Sequence, residues 1–175
     1  WIDKTDNIKT AADLGSNDGE FSFLLANKNI QTIAGDFDPQ CINNLYNRLK
    51  DKKTTYILPL IIDIANPSPA IGVNNEERTA FTSRLNADLT LALALIHHLA
   101  IGRNIPFELI AVFFQHVTHQ LIIEFIPKED EKVQGMLTGK KDIYTAYTVT
   151  DFEKAFTKAI TGSGRVLYRM TKNEN

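Results

Sequence analysis

A short glycine-rich loop near the start of the chain has the residue types needed to hold a bound cofactor. Residues 15–19 read Gly-Ser-Asn-Asp-Gly and lie between an apolar run that ends at Leu14 and a helix-like apolar run that begins at Phe21. Gly15 and Gly19 allow positive φ and leave space for a ligand against the main chain, which a β-carbon would obstruct. The first N–H groups of a helix have no partner within that helix, so they can point towards the ligand. The sequence therefore predicts a strand, a ligand-binding loop and a helix in succession.

The spacing of this loop separates two kinds of nucleotide ligand. A dinucleotide-binding fingerprint has the form G-x-G-x-x-G, and its third glycine lies where the helix packs closely on the strand. In this chain the three positions hold Gly15, Asn17 and Glu20. The acidic Asp13 before the turn also suits a ligand with a positive charge better than a pyrophosphate. The pattern disfavours a nicotinamide dinucleotide, although a lone glycine loop can also be an ordinary turn.

Two further aspartates stand where predicted strands end. In an open α/β sheet, ligands bind outside the carboxyl ends of the strands, so these positions are candidates for ligand contacts. Asp36 follows Gly19 by 17 residues and can accept both hydroxyls of a ribose, with Phe37 beside it to cover a base. The alternative role of Asp36 is to cap the next helix, but we assign that role to Asp38, which precedes a proline. Asp63, after the third strand, is either a ligand contact or a solvent-facing turn residue.

Polar residues that could take part in a reaction follow or interrupt the fourth and fifth apolar runs. His97 and His98 come directly after the fourth run, and because adjacent helix residues diverge by about 100°, one can face a ligand while the other faces the core. A histidine titrates near neutrality and can take a proton from a hydroxyl nucleophile; the alternative is that both are structural. Glu124 interrupts the fifth run, where a buried carboxylate is unfavourable unless it is paired or faces a wet pocket. We predict that Glu124 is a substrate contact or a base, with an ion pair to Arg84 or Lys128 as the alternative.

The elements that must position these residues alternate between strand and helix patterns. Predicted strands cover residues 9–14, 32–35, 56–62, 89–95 and 120–126. Predicted helices begin near Gly19, Asp38, Ile96, Pro106 and Asp151. Such alternation predicts a parallel sheet with helices on its faces. Residues 157–161 and 165–170 are strand-like and flank Gly162-Ser163-Gly164, which predicts a closing hairpin.

Composition predicts one α/β domain over residues 1–175 without a membrane or nucleic-acid partner. The net charge of −2 creates no overall field that would attract nucleic acid or an anionic membrane, and no apolar run reaches the length of a membrane span. The single Cys41 excludes an internal disulfide and fits a reducing compartment, so we expect a cytoplasmic protein. His116 and His119 stand at i, i+3 without an acid at metal-ligand spacing, so no metal site is predicted. Trp1 lies close to the glycine loop, so we expect residues 1–175 to lack an N-terminal substrate-recognition segment. An N-terminal region of the same protein would then supply that segment.

Residues 13–19, read as D-L-G-x-N-x-G, resemble the first motif of the class I S-adenosylmethionine-dependent methyltransferases, whose usual form has glycine where Asn17 stands. The Gly-Ser-Asn-Asp-Gly segment is also similar to the loop of some sugar methyltransferases. The resemblance implies S-adenosylmethionine as cofactor, with Asp63 accepting from the adenine amino group and Ile64 flanking the ring. It places Leu93 and Ala94 beside the methionine part. The predicted cofactor-binding residues are Asp13, Gly15, Ser16, Asn17, Gly19, Asp36, Phe37, Asp63, Ile64, Leu93 and Ala94.

The same resemblance implies a Rossmann-like fold of three layers, α/β/α, with a mostly parallel seven-stranded sheet that ends in an antiparallel hairpin. His98 matches the histidine common after the fourth strand in the class I family, whereas His97 takes a position that is often glutamate. Segments 67–72, 77–78, 92–99 and 165–168 further resemble bacterial nodulation-type methyltransferases, so this likeness spans nearly the whole chain.

We therefore predict methyl transfer from S-adenosylmethionine to a small-molecule or sugar acceptor. Oxygen is the preferred acceptor atom because histidines, rather than an Asn/Asp-Pro-Pro-aromatic motif, follow the fourth strand. The protein mainly has to align the nucleophile, the methyl group and the departing sulfur. Two alternatives remain at this point: a non-catalytic, cofactor-binding methyltransferase-like domain of a larger protein, and a nicotinamide-binding Rossmann domain.

Overall fold

A computed structural model describes residues 7–139, 141, 143–160 and 166–170 of the chain. Its strands are β1 Thr10–Leu14, β2 Gln31–Asp36, β3 Ile57–Ile61, β4 Ala87–Ala92, β5 Thr118–Phe125 and β6 Val166–Met170. Its α-helices are α1 Glu20–Ala26, α2 Pro39–Lys52, α3 Phe81–Arg84, α4 Phe107–Val117, α5 Glu131–Leu137 and α6 Val149–Ile160. A 3₁₀ turn spans Val73–Asn75 and a π-helical turn spans His98–Gly102. The predicted alternation of strands and helices is observed through β5.

The described strands form one parallel sheet in the order β3-β2-β1-β4-β5-β6. β1 pairs with β2 on one side and with β4 on the other, so the direction of chain progression across the sheet reverses between β1 and β4. In an open α/β sheet, a crevice forms outside the carboxyl ends of the strands at such a reversal, and ligands bind there. The residues that end β1, β2, β3 and β4 are therefore brought to one edge.

Helices cover both faces of this sheet, as a three-layer α/β/α fold requires. Because side chains alternate along a strand, Ala12 and Leu14 of β1 belong to the larger core, which also contains buried residues of α4 and α6. Ala11, one position away, packs with Leu25 of α1 on the opposite face. A third cluster, which includes Leu45 of α2, extends that second face beneath β2 and β3.

The prediction of a closing hairpin in the C-terminal part is wrong for the residues that the structure describes. Residues 157–160 continue α6 instead of forming a strand, and β6 pairs in parallel with β5. Within the described ranges, the sheet therefore has six strands rather than seven and includes no antiparallel strand. The predicted turn at Gly162-Ser163-Gly164 lies outside the described residues.

The start of α6 explains why helix prevails over strand in this segment. Asp151 donates its backbone N–H to Thr148 Oγ1 at 3.1 Å, and the Thr148 hydroxyl donates back to Asp151 Oδ2 at 2.7 Å. This reciprocal cap makes Thr148 the N-cap, so the helix begins at Val149, slightly before the start predicted near Asp151. Buried Phe152, Ala155 and Phe156 then follow helical spacing, which extends the helix over β-branched residues that favour a strand locally.

The chain turns sharply after β4. This strand ends at Ala92, earlier than predicted, and Ala94 adopts φ 50°, in the left-handed region. The helix expected from Ile96 is short and includes the π-helical turn His98–Gly102.

No helix among the described residues is both long enough and apolar enough to cross a membrane.

Candidate functional site

The glycine loop is fixed to the end of β2 by backbone hydrogen bonds. The N–H groups of Gly15 and Ser16 both donate to the carbonyl oxygen of Gly35, at 2.8 and 3.1 Å. Gly15 has φ 80° and Gly19 has φ 79°, a region that residues with a β-carbon rarely adopt. A β-carbon on Gly19 would lie 2.5 Å from Leu45 Cδ1, so this glycine also allows α1 to approach α2 closely.

Arg48 of α2 ties the loop to the second helix. Its guanidinium donates to the Asp18 carbonyl oxygen at 2.5 Å and pairs with Glu20 at 2.7 Å. The same group lies 4.8 Å from the centre of the Phe23 ring. The sequence analysis did not identify Arg48, because its contacts lie about thirty residues away in the chain and no short motif encodes them.

Asp36 and Asp38 have different roles. Asp38 accepts a hydrogen bond from the Gln40 N–H at 2.8 Å, so its predicted role as the N-cap of α2 is confirmed. Asp36 accepts from the Asn17 N–H through Oδ2 at 2.8 Å and from the Asp38 N–H through Oδ1 at 2.9 Å. Each carboxylate oxygen has a further lone pair, so Asp36 can hold the loop and still accept from a ligand.

Asp13 lies beneath the loop and is 2% exposed. Its Oδ2 accepts from the Ser22 hydroxyl at 2.6 Å. Burial raises the pKa of the Asp13 carboxyl to about 6, while hydrogen bonds from Ser22 oppose that rise. Above this pKa the residue places a negative charge in a weakly solvated position, where a positively charged ligand group would stabilise it.

The ends of β2 and β3 are bridged by an arginine that the sequence analysis did not single out. Arg103 pairs with Asp63 Oδ2 at 3.1 Å, and its guanidinium carbon lies 5.7 Å from the centre of the Phe37 ring. Asp63 Oδ1 accepts from the Ala65 N–H at 3.0 Å. Phe37 is 65% exposed and lines the cavity.

Glu124 contacts the turn after β4. Its Oε2 accepts from the Ala94 N–H at 3.0 Å. Ala94 has positive φ, which is strained for a residue with a β-carbon and recurs at functional sites because surrounding contacts must hold it. Glu124 therefore stabilises the backbone conformation that brings Leu93 and Ala94 to the cavity.

The two adjacent histidines occupy different environments, with ring centres 4.2 Å apart. His97 is 1% exposed, and its Nδ1 has no hydrogen-bond partner among the described residues. Burial lowers the pKa of His97 to about 4, so its imidazole is neutral at pH 7. His98 lines the cavity, and burial lowers its pKa, although Asp36 opposes the shift. Of the two histidines, only His98 lines the cavity.

These groups surround one cavity of about 1500 Å³. Of the predicted site residues, only Gly19 and His97 do not line it. The lining also includes residues that were not predicted, among them Phe21, Leu24, Leu99, Arg103 and Lys132. Within the described part of the chain, no group of three histidine, cysteine or acidic residues could hold a metal ion.

The strand order, the glycine loop after β1 and the acids after β2 and β3 define a Rossmann-like domain with the class I methyltransferase fold. The chain is 39% identical to nodulation protein NoeA of Rhizobium meliloti (strain 1021), over 175 residues that cover 95% of this chain and 37% of NoeA. The resemblance to nodulation-type methyltransferases is thereby confirmed, and the chain spans little more than a third of this relative's length.

Solved structures support the same fold. Two crystal structures of WbdD, one of them described as a bifunctional kinase-methyltransferase, match with TM-scores of 0.54 and 0.56. Each shows 21% sequence identity and covers 70% of this chain and 25% of WbdD. At this level of identity the likeness shows a shared fold. Comparison with models of known protein families gives no match.

Proposed function

We propose that this domain binds S-adenosylmethionine and transfers its methyl group to a hydroxyl of a small-molecule or sugar acceptor. The observation that carries the proposal is one shared cavity, which is lined by the glycine loop, Asp36 and Asp63 together with His98 and Glu124. The shared fold with WbdD, a bifunctional kinase-methyltransferase, supports this reaction class. The single Cys41 supports a cytoplasmic location.

Residues at the loop end of the cavity fit such a cofactor. Asp36 retains lone pairs for ribose hydroxyls, and Phe37, Asp63 and Ile64 line the region assigned to the adenine. The Ser16 hydroxyl is buried and has no partner among the described residues, although Ser16 lines the cavity. A buried hydroxyl without a partner is unfavourable, so a polar ligand group there would satisfy it.

The cofactor, when bound, supplies an electrophilic methyl group on a positively charged sulfur. The chain's own residues align the partners and manage the proton. Acidic side chains outnumber basic ones in the cavity lining, so the charge of the cavity favours a cationic ligand. The basic residues are Lys28, Arg103 and Lys132, and the seven acidic residues are Asp13, Asp18, Glu20, Asp36, Asp38, Asp63 and Glu124. His98, neutral at pH 7 because its pKa is lowered, can accept the proton that an acceptor hydroxyl loses.

Calorimetry and thermal unfolding with S-adenosylhomocysteine test the cofactor assignment. At about 100 times its dissociation constant, the ligand should add about 2.7 kcal/mol to the free energy of unfolding. NAD serves as the control, and we expect no stabilisation by it because Glu20 occupies the third glycine position and is paired with Arg48. Stabilisation by NAD without stabilisation by S-adenosylhomocysteine would contradict the proposal.

A second candidate is a cofactor-binding domain without transfer activity of its own. The observation that favours it is the 37% coverage of NoeA, which leaves most of that relative outside the comparison. A methyl-transfer assay against hydroxylated small molecules and sugars separates the two functions. Tight S-adenosylhomocysteine binding with no transfer to any acceptor, in this chain or in a longer form of the protein, would favour the second candidate.

A further inference from the structure

We propose that Arg103 is a clamp for the purine base of the ligand, which it holds against Phe37. This inference rests on the proposed function, since it concerns the adenine end of the same cavity. Arg103 lies just after the π-helical turn that follows β4, whereas Phe37 and Asp63 follow β2 and β3. The side chain thus crosses from one half of the sheet to the other over the end of the cavity.

The contacts of Arg103 define a slot for a flat group. One wall is the exposed ring of Phe37 and the other is the planar guanidinium, with 5.7 Å between ring centre and guanidinium carbon. The Asp63 carboxylate, paired with Arg103 at 3.1 Å, supplies an acceptor at the edge. An aromatic face, a planar cation and an edge acceptor are the groups that recognise a base carrying an exocyclic amine.

The distance between Phe37 and the Arg103 guanidinium implies that the guanidinium must move before a base can bind between them. Van der Waals contact on both faces of an inserted ring requires about 7 Å between the two walls, because each carbon–carbon contact takes about 3.5 Å. The observed 5.7 Å is too narrow for a base but short enough for direct attraction between the two walls. The guanidinium therefore occupies part of this space and must withdraw by at least about 1 Å to admit a base.

The surroundings of Arg103 allow this withdrawal. Its side chain is 49% exposed, so it can swing outward without disturbing the core. Asp63 remains anchored through the bond from the Ala65 N–H to Oδ1, which leaves Oδ2 to be shared between the guanidinium and a base amine. The planar cation can then stack on the outer face of the base while Phe37 covers the inner face.

Binding measurements on Arg103→Ala and Arg103→Lys test the clamp, with S-adenosylhomocysteine and 5′-methylthioadenosine as probes. The alanine variant should raise the dissociation constants of both probes by a similar factor, about three- to tenfold, since both carry the same base. The lysine variant keeps the charge beside Asp63 but has no plane to stack, so we expect a loss similar to that of alanine. Arg84→Ala is the matched control, because Arg84 is an exposed arginine outside the cavity, and it should leave both constants unchanged.

Other outcomes of these binding measurements would overturn the clamp, the proposed function, or both. Unchanged or tighter binding in Arg103→Ala would overturn the clamp and leave the proposed function intact, and tighter binding would identify Arg103 as a competitor for the base site. Full retention of affinity in Arg103→Lys would assign the effect to charge alone and overturn stacking. If the unaltered protein binds neither probe, the proposed function and the clamp both fail.

Discussion

The two ends of the cavity are built differently. At the loop end, the backbone is held by several hydrogen bonds: Gly35 accepts two backbone N–H groups, Asp36 accepts two more, and Arg48 ties the loop to α2. At the other end, the His98 imidazole makes no hydrogen bond to any described residue, and Glu124 accepts from the Ala94 N–H in the strained turn. This contrast fits the proposed function, in which the loop end holds the cofactor and the other end receives the acceptor.

The largest expected effect is at His98. If His98 accepts the acceptor's proton, His98→Ala should lower the rate of methyl transfer by about 10²–10⁴-fold with little change in S-adenosylhomocysteine affinity. Because its pKa lies below the usual 6.5, the rate should stay level as pH falls to that value and decline only at lower pH, as the imidazole becomes protonated. His98→Gln should remove the part of this decline that comes from the imidazole, and leave any part that comes from protonation of Asp13 near pH 6.

His116→Ala is the control for the histidine experiment. His116 lies on α4 outside the cavity, where its Nδ1 is 2.7 Å from the Val112 carbonyl oxygen. This variant should keep the rate and its pH profile. A His98→Ala protein with an unaltered rate would remove His98 from the mechanism and reduce the contrast between the two ends.

A smaller effect is expected at Asp36, where ligand binding and loop structure share one carboxylate. Asp36→Ala should weaken S-adenosylhomocysteine binding by about 1.5–3 kcal/mol, the range for hydrogen bonds to a charged group. Because Asn17 and Asp38 also lose the acceptor for their N–H groups, the ligand-free protein should be destabilised by about 1–2 kcal/mol. Isothermal calorimetry and denaturant unfolding measure the two losses separately.

Asp38→Ala provides the comparison for Asp36. It removes the N-cap of α2, at a cost of about 1 kcal/mol in unfolding free energy, and should change ligand affinity far less than Asp36→Ala. Equal loss of affinity in both variants would show that Asp36 acts only through the loop, not on the ligand.

The smallest effect is expected at Glu124. Glu124→Gln keeps a carbonyl oxygen for the Ala94 N–H and should change unfolding free energy little, whereas Glu124→Ala should cost about 1 kcal/mol. If Glu124 serves only to position the turn, Glu124→Gln should also keep the transfer rate. A large fall in rate with unchanged stability would instead place its carboxylate in contact with the acceptor.

Much of the fold follows from local patterns. Apolar runs and helical spacing predicted strands β1 to β5 and helices α1, α2 and α4, but not the short helix α3. Asp38-Pro39 predicted the start of α2, since caps and prolines act within one turn of the chain. Near the C-terminus the local pattern misled: residues 157–160 are strand-like in type, but the cap and buried face of α6 hold them in a helix. The apolar pattern of residues 89–95 also placed the end of β4 too late. The chain turns at Ala94, and this turn depends on a hydrogen bond to the distant Glu124 that the local pattern does not show.

By itself, the sequence determined the parallel α/β class, the glycine loop and the acids that follow successive strands, because these features depend on residue type and short spacing. Only the tertiary structure decided that His98 rather than His97 lines the cavity, and that Asp36 also holds the Asn17 N–H. It likewise decided that Arg48 pairs with Glu20 and Arg103 with Asp63. These contacts join residues 19 to 40 positions apart. Such pairs become neighbours only when parallel strands bring their carboxyl ends to one edge, and no local pattern in the chain records which side chains will meet there.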